Sequence, residues 1–316
     1  MKKVISLLII VFAINSCDDG NLIQENISFE DVETVESCTN GIIYKLKDQE
    51  ALIVDIPATT FTNETTTKTL DINTTNRVVY RFYNGTVSTD NICATIPPAT
   101  PIVTDQWSAS DGQIVVTTTP IKETNATTNG TKITGYNHNI TFNNVTFAKS
   151  NGNQTYPTFP FGNYTTTATT LPFLFDQTLD KCSTSNQVYN FTSSEAMQLN
   201  IDPSLIANQV TPLNTPRTGL LTSTTNSLTY RLFSGGVLTN SYFCNTVTPT
   251  TPTVNQEWSA VAGVSAASGI IEVTTTTSGP NTFRHTIVLK KVTFKKGNDS
   301  FLLADSYSFG DLFTTN

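Results

Sequence analysis

The sequence predicts an all-β chain of two tandem, homologous antiparallel β-sandwich-like units, with small closed β-barrels as the alternative. Three features carry that expectation: a long internal repeat, apolar residues alternating with period two, and a Thr-, Asn- and Ser-rich composition in which only 14% of residues are charged. Threonine suits a pleated strand and asparagine suits turns, so this composition fits a β-rich extracellular fold.

The repeat emerges when the chain is laid over itself. TNRVVYRFYNGTVSTDNIC, ending at Cys93, matches TNSLTYRLFSGGVLTNSYFC, ending at Cys244. Both run on into P-x-V-x-x-x-W-S-A, which holds Trp107 in one copy and Trp258 in the other. Upstream, SFEDVETVESC (to Cys38) lines up with PFLFDQTLDKC (to Cys182). Downstream, YNHNITFNNVTF (136–147) lines up with FRHTIVLKKVTF (283–294), and FPFGNY near 162 with YSFGDL near 310. One unit therefore covers 27–166 and the other 170–316. The join from Tyr164 to Pro172 is short and rich in β-branched residues, so the units are expected to sit close together.

Within a unit, Ala51–Ile56, Arg77–Phe82 and Gln113–Thr118 alternate apolar and polar residues, and Asn-Gly, Pro-Pro and Asp-Gly pairs punctuate them. That reads as seven to nine antiparallel strands per unit, with at most a turn or two of helix at Phe29–Ser37.

Residues 1–16, MKKVISLLIIVFAINS, carry two lysines, an apolar run from Val4 to Ile14 and small polar residues before Cys17. This is the layout of a secretory signal peptide, and the run is too short to span a bilayer. Ile14-Asn15-Ser16-Cys17 resembles the bacterial lipobox. The resemblance implies that the signal is removed and that Cys17 carries the lipid (diacylglyceryl and palmitate-type acyl chains). Two or more such chains hold a protein firmly on a membrane. Residues 17–26 then form a tether, and Asp18-Asp19 resembles the signal that sends Bacteroidetes lipoproteins to the cell surface. The expected location is the cell envelope, in the outer membrane.

With Cys17 assigned to lipid, four of the five cysteines remain, at matching places in the repeats. Pairing Cys38 with Cys93 and Cys182 with Cys244 keeps each unit self-contained, and closing loops of this size stabilises a domain by roughly 4 kcal/mol. Such bridges call for an oxidising compartment. Zinc is disfavoured, because no C-x-x-C pair exists and no cysteine has a histidine near it in sequence.

Removing residues 1–16 takes away Lys2 and Lys3 and moves the net charge from −7 to −9, which argues against nucleic acid as a partner. His138 and His285, the two histidines, occupy one place in the repeat and are expected to be hydrogen-bonded structural residues. Glu50, Glu195, Asp305 and Asp311 are available carboxylates, yet none is set off as a catalytic pair. No G-x-S-x-G nucleophile motif or D-x-D-x-D-G calcium loop occurs. Trp107 and Trp258 are the candidate ligand-binding residues, as platforms for a sugar ring, against the alternative of core packing. The expectation is a non-catalytic envelope protein without cofactor, presenting two β-domains for binding or structural assembly. Its partners would be the membrane, through the lipid, and a glycan or envelope protein; the alternative is a glycan-binding accessory of polysaccharide uptake.

Overall fold

A computed structural model describes residues 26–149 and 152–316; Cys17 and the signal segment lie outside the described residues. The chain is all-β, with an antiparallel eight-stranded sheet followed by an eleven-stranded sheet that curls into a half-barrel.

The first half contains β1 (Glu36–Ser37), β2 (Ile43–Lys47), β3 (Glu50–Asp55), β4 (Thr66–Asp71), β5 (Arg77–Tyr83), β6 (Val103–Thr124), β7 (Thr131–Ala148) and β8 (Gln154–Thr167). Its long strand β6 serves two neighbours in turn. Val103–Ser108 pair with β5, Gln113–Thr118 pair with β4, and β7 follows along almost the whole length. Between these stretches the register slips at Ala109/Asp111 and Asp111/Gln113. Gly112 sits there with φ +117, and a Cβ would meet the Val145 Cα at 2.7 Å, so only glycine fits the bend. The bend lets one strand wrap a core that includes Leu52, Val54, Tyr80 and Trp107 from one stretch and Val116, Ile140, Phe142 and Phe161 from the other.

The second half contains β9 (Thr178–Lys181), β10 (Gln187–Phe191), β11 (Glu195–Asn200), β12 (Arg217–Leu220), β13 (Ser227–Ser234), β14 (Thr253–Ala260), β15 (Ile270–Gly279), β16 (Thr282–Lys290), β17 (Thr293–Lys296), β18 (Asp299–Leu302) and β19 (Ser306–Thr315). It exceeds the expected strand number because three segments are broken here. Where the repeat aligns β6, β7 and β8, the chain forms β14 with β15, β16 with β17, and β18 with β19. A parallel pairing of β19 with β9 joins the run β12-β15-β16-β19 to the run β9-β10-β11-β13-β14-β17-β18, which leaves β12 and β18 at the edges of the curl.

The expected helical turns at Phe29–Ser37 are not helical. The segment holds one turn, closed by the Val32 N–H on the Phe29 carbonyl, and ends in β1, because Ile27 and Phe29 are drawn into the core. Helix appears instead at Thr89–Cys93, where the side chain of Asn91 accepts the backbone N–H of Ser88 in a capping box. Both expected disulfides are present, Cys38–Cys93 and Cys182–Cys244, each over a small cluster on the outer face of its sheet.

The two halves touch through the β17–β18 hairpin. Asp299, 1% exposed, reaches from the second half into the first and accepts hydrogen bonds from the Thr65 N–H (3.2 Å), the Thr65 hydroxyl and the Tyr136 hydroxyl (2.8 Å). Beside it, Asn298 Nδ2 donates to the Thr65 carbonyl, Leu302 N–H to Thr131 Oγ1, and Asp305 N–H to the Thr128 carbonyl. Gly130 lies so close that a Cβ would stand 2.4 Å from the Leu303 carbonyl oxygen. Gly130→Val is therefore expected to push the halves apart, measured as a larger radius of gyration in solution scattering.

Candidate functional site

Along this junction runs an open cleft of about 790 Å³, within the range of small-ligand sites. The first half contributes Asn125, Thr128, Thr131–Thr134 and Tyr136, the connection contributes Ala168–Phe173, and the second half adds Phe175, Gln177, Trp258, Phe301 and Ser306–Ser308. Leu171, Phe173, Phe175 and Tyr307 are half-buried, so their apolar surfaces remain partly open.

Local structure sets this wall. Residues 171–175 run as Leu-Pro-Phe-Leu-Phe, and alternation places Leu171, Phe173 and Phe175 on one side, against the second core. Phe173 has φ +51, a conformation that a bulky side chain rarely adopts. The buried carboxylate of Glu195 (1% exposed) holds it there, accepting the Phe173 N–H at 2.9 Å, the Leu174 N–H at 2.7 Å and the Tyr230 hydroxyl at 2.7 Å. Nearby, burial and the Glu195 charge push the Tyr307 phenol up to about 12, so it faces the cleft as a protonated donor at neutral pH. Charges around the cleft are already engaged. Lys132 pairs with Glu123 at 2.9 Å, and Lys296 Nζ lies 5.2 Å over the Trp258 ring.

Trp107 and Trp258 are each 3% exposed. Lys149 Nζ caps the Trp107 ring at 4.1 Å as Lys296 caps Trp258, and the indole N–H groups donate to Asp105 and Gln256. Neither ring offers a free face for stacking. Trp258 borders the cleft, and Trp107 does not. The sequence pointed to the tryptophans and passed over Phe175, which aligns with Asp31 of the first half and so breaks the match between the two segments.

The histidines lie inside strands and are fully buried. His138 Nδ1 bonds Thr118 Oγ1 at 2.8 Å and Nε2 bonds Thr166 Oγ1 at 3.0 Å. His285 makes the same pair of bonds with Thr275 and Thr314, both at 2.8 Å. Burial lowers both side chains' proton affinity, with Lys68 adding for His138 and Arg217 for His285, which is brought down to about 4. Since each folded value is below the unfolded one, near 6.5, protons bind the unfolded chain first. Stability present above pH 6.5 is therefore expected to decline as the pH falls toward 4, by on the order of 2 kcal/mol at His285. Urea midpoints measured between pH 7 and pH 4 check this, and His285→Asn should flatten the profile.

The remaining carboxylates named from sequence also serve the fold. Asp305 accepts from Asn129 Nδ2 across the junction, Asp311 accepts from Thr286 Oγ1, and Glu50 pairs with Phe82 in the sheet ladder. Among the described residues no cluster of three or more His, Cys, Asp or Glu could hold a metal ion. Comparison with known protein families, with curated proteins and with solved structures gives no match.

Proposed function

We propose that this chain is a non-catalytic binding lipoprotein of a bacterial cell envelope, anchored through Cys17, whose ligand lies in the cleft between two copies of one β-sandwich unit. The observation that carries the binding reading is the cleft itself, with half-open aromatic rings on one wall and hydroxyl and amide groups around them. The repeat reading is supported by the aligned sequences and by the matching Thr-His-Thr bonds. Equivalent glycines, Gly162 and Gly310, also sit at equivalent β-bulges with φ +134 and +140.

A second reading, glycan binding in polysaccharide uptake, is favoured by the chemistry of the lining. Apolar rings beside neutral hydroxyl and amide groups, with the nearby charges already engaged, match an uncharged sugar chain better than an ionic ligand. Trp258 reports on the site. In a Trp107→Phe variant, neutral oligosaccharides are expected to change Trp258 emission in a saturable way, and Phe175→Ala should abolish the response. Unchanged emission across such a panel would remove the glycan reading, and unchanged emission with envelope proteins as well would remove the cleft as the site.

A further inference from the structure

We propose that the loop Ala94–Val103 of the first half rests in the headgroup region of the bilayer to which the chain is anchored; this takes the acylation of Cys17 from the function proposed above. The loop carries no ionisable side chain, and Ile96, Ile102 and Val103 are 86%, 53% and 43% exposed. Single exposed apolar residues are ordinary on a protein surface. The matching loop of the second half, Asn245–Val254, keeps exposed valines, Val247 and Val254, in place of Ile96 and Val103, and differs at other positions. There Asn245, Thr248, Thr250 and Thr253 stand where the first loop has Ala94, Pro97, Ala99 and Ile102. One copy of the loop is apolar at four positions where the other is polar.

The apolar copy is the one beside the anchor. The described chain begins at Asn26, whose side chain accepts a hydrogen bond from Gln154 Nε2, and the Ile27 N–H donates to the Tyr156 hydroxyl. Gln154 opens β8 beside the end of β7, and Ala148 of β7 pairs with Ser108, five residues from the Val103 end of β6. The opposite end of β6, Thr124, faces the second half. From Cys17 to Asn26 the chain spans at most about 30 Å. The lipid headgroups are thus held near the Val103 end of the first half, with the second half docked at the far end. Branched side chains at a bilayer interface add to the hold of an acyl anchor. Because the mature chain is acidic and the loop has no cation, the surface that fits is a zwitterionic one.

Full-length protein, processed in bacteria and reconstituted in phosphatidylcholine–phosphatidylethanolamine vesicles, tests this through Ile102→Trp and the matched variant Thr253→Trp. Both positions are exposed, Ile102 just before β6 and Thr253 at the first residue of β14, and circular dichroism verifies that each variant is folded. Brominated acyl chains are expected to quench the added fluorescence of Ile102→Trp, with its emission shifted to the blue, and to leave Thr253→Trp unchanged. Mass spectrometry of the N-terminal peptide separates the two ways of failing. Acylated Cys17 with no quenching of Ile102→Trp, or equal quenching of both variants, overturns the loop contact and leaves the anchor standing. Unmodified Cys17 removes the anchor and the loop contact with it.

Discussion

Replacing Glu195 by alanine is expected to destabilise the protein by about 4 kcal/mol and to abolish the binding proposed for the cleft. The carboxylate is 1% exposed and accepts three hydrogen bonds, from the N–H groups of Phe173 and Leu174 and from the hydroxyl of Tyr230. Each buried donor left without a partner costs roughly 1–3 kcal/mol, and some of that returns if water enters the space. The second consequence is local. Phe173 loses the contact that fixes its φ of +51, so the wall formed by Leu171, Phe173 and Phe175 is expected to relax toward an ordinary extended path. Glu195→Gln keeps the volume and one acceptor oxygen, and should lose about half as much. Urea unfolding measures the first effect, and Trp258 fluorescence with added ligand measures the second. A stable Glu195→Ala protein with unaltered ligand response would contradict this account of the wall.

Asp299→Ala is expected to cost about 3 kcal/mol and to uncouple the halves. Its carboxylate gathers the Thr65 N–H, the Thr65 hydroxyl and the Tyr136 hydroxyl, all from the other half of the chain. Burial and the adjacent Asp299 carboxylate push the Tyr136 hydroxyl up, so it stays protonated and must find an acceptor. Removing that acceptor leaves the Tyr136 hydroxyl, on the first half's side of the junction, a buried donor without its partner. Each half has its own core and its own disulfide, so neither should unfold with the contact. The expected result is that one calorimetric transition becomes two, with Asp299→Asn intermediate. A single, unshifted transition for Asp299→Ala would mean that the carboxylate does not couple the halves.

Much of the fold was legible because its signals are local. The structure forms β3 and β5 at Ala51–Ile56 and Arg77–Phe82. The faces of β5 differ in burial, whereas Ala51 to Val54 of β3 are buried on both faces, Leu52 and Val54 in the core and Ala51 and Ile53 in the cluster by the disulfide. The disulfides were legible because matching places in a repeat leave few sensible pairings. The helix at Thr89–Cys93 escaped because five residues give no 3.6-residue period, although Ser88 and Asn91 carried its capping signal. The breaks that give six strands in the second half where the first has β6, β7 and β8 were also missed, although the one between β14 and β15 falls at Val261–Gly269, which is longer than the aligned Ser110–Gln113. The cleft was the least legible feature. Its contacts join residues such as Tyr136 and Asp299, 163 positions apart, and no local pattern encodes that meeting. The tryptophans drew attention as aromatic residues in a shared motif, yet both are buried with a lysine over each ring; the half-buried rings that line the cleft, Phe173 and Phe175, lie at the end of the connection and the start of the second half.

Hydrogen exchange at three backbone amides tests the fixed junction most directly. Thr65 donates to Asp299, Leu302 to Thr131 and Asp305 to Thr128, so every one of these N–H groups is bonded across the two halves. If the halves form one body around the cleft, these amides exchange as slowly as the core amides of β7 and β16, and Asp299→Ala speeds all three together. Exchange at the rate of exposed loops in the unaltered protein would mean that the halves move independently and that the cleft is not a standing feature of the molecule.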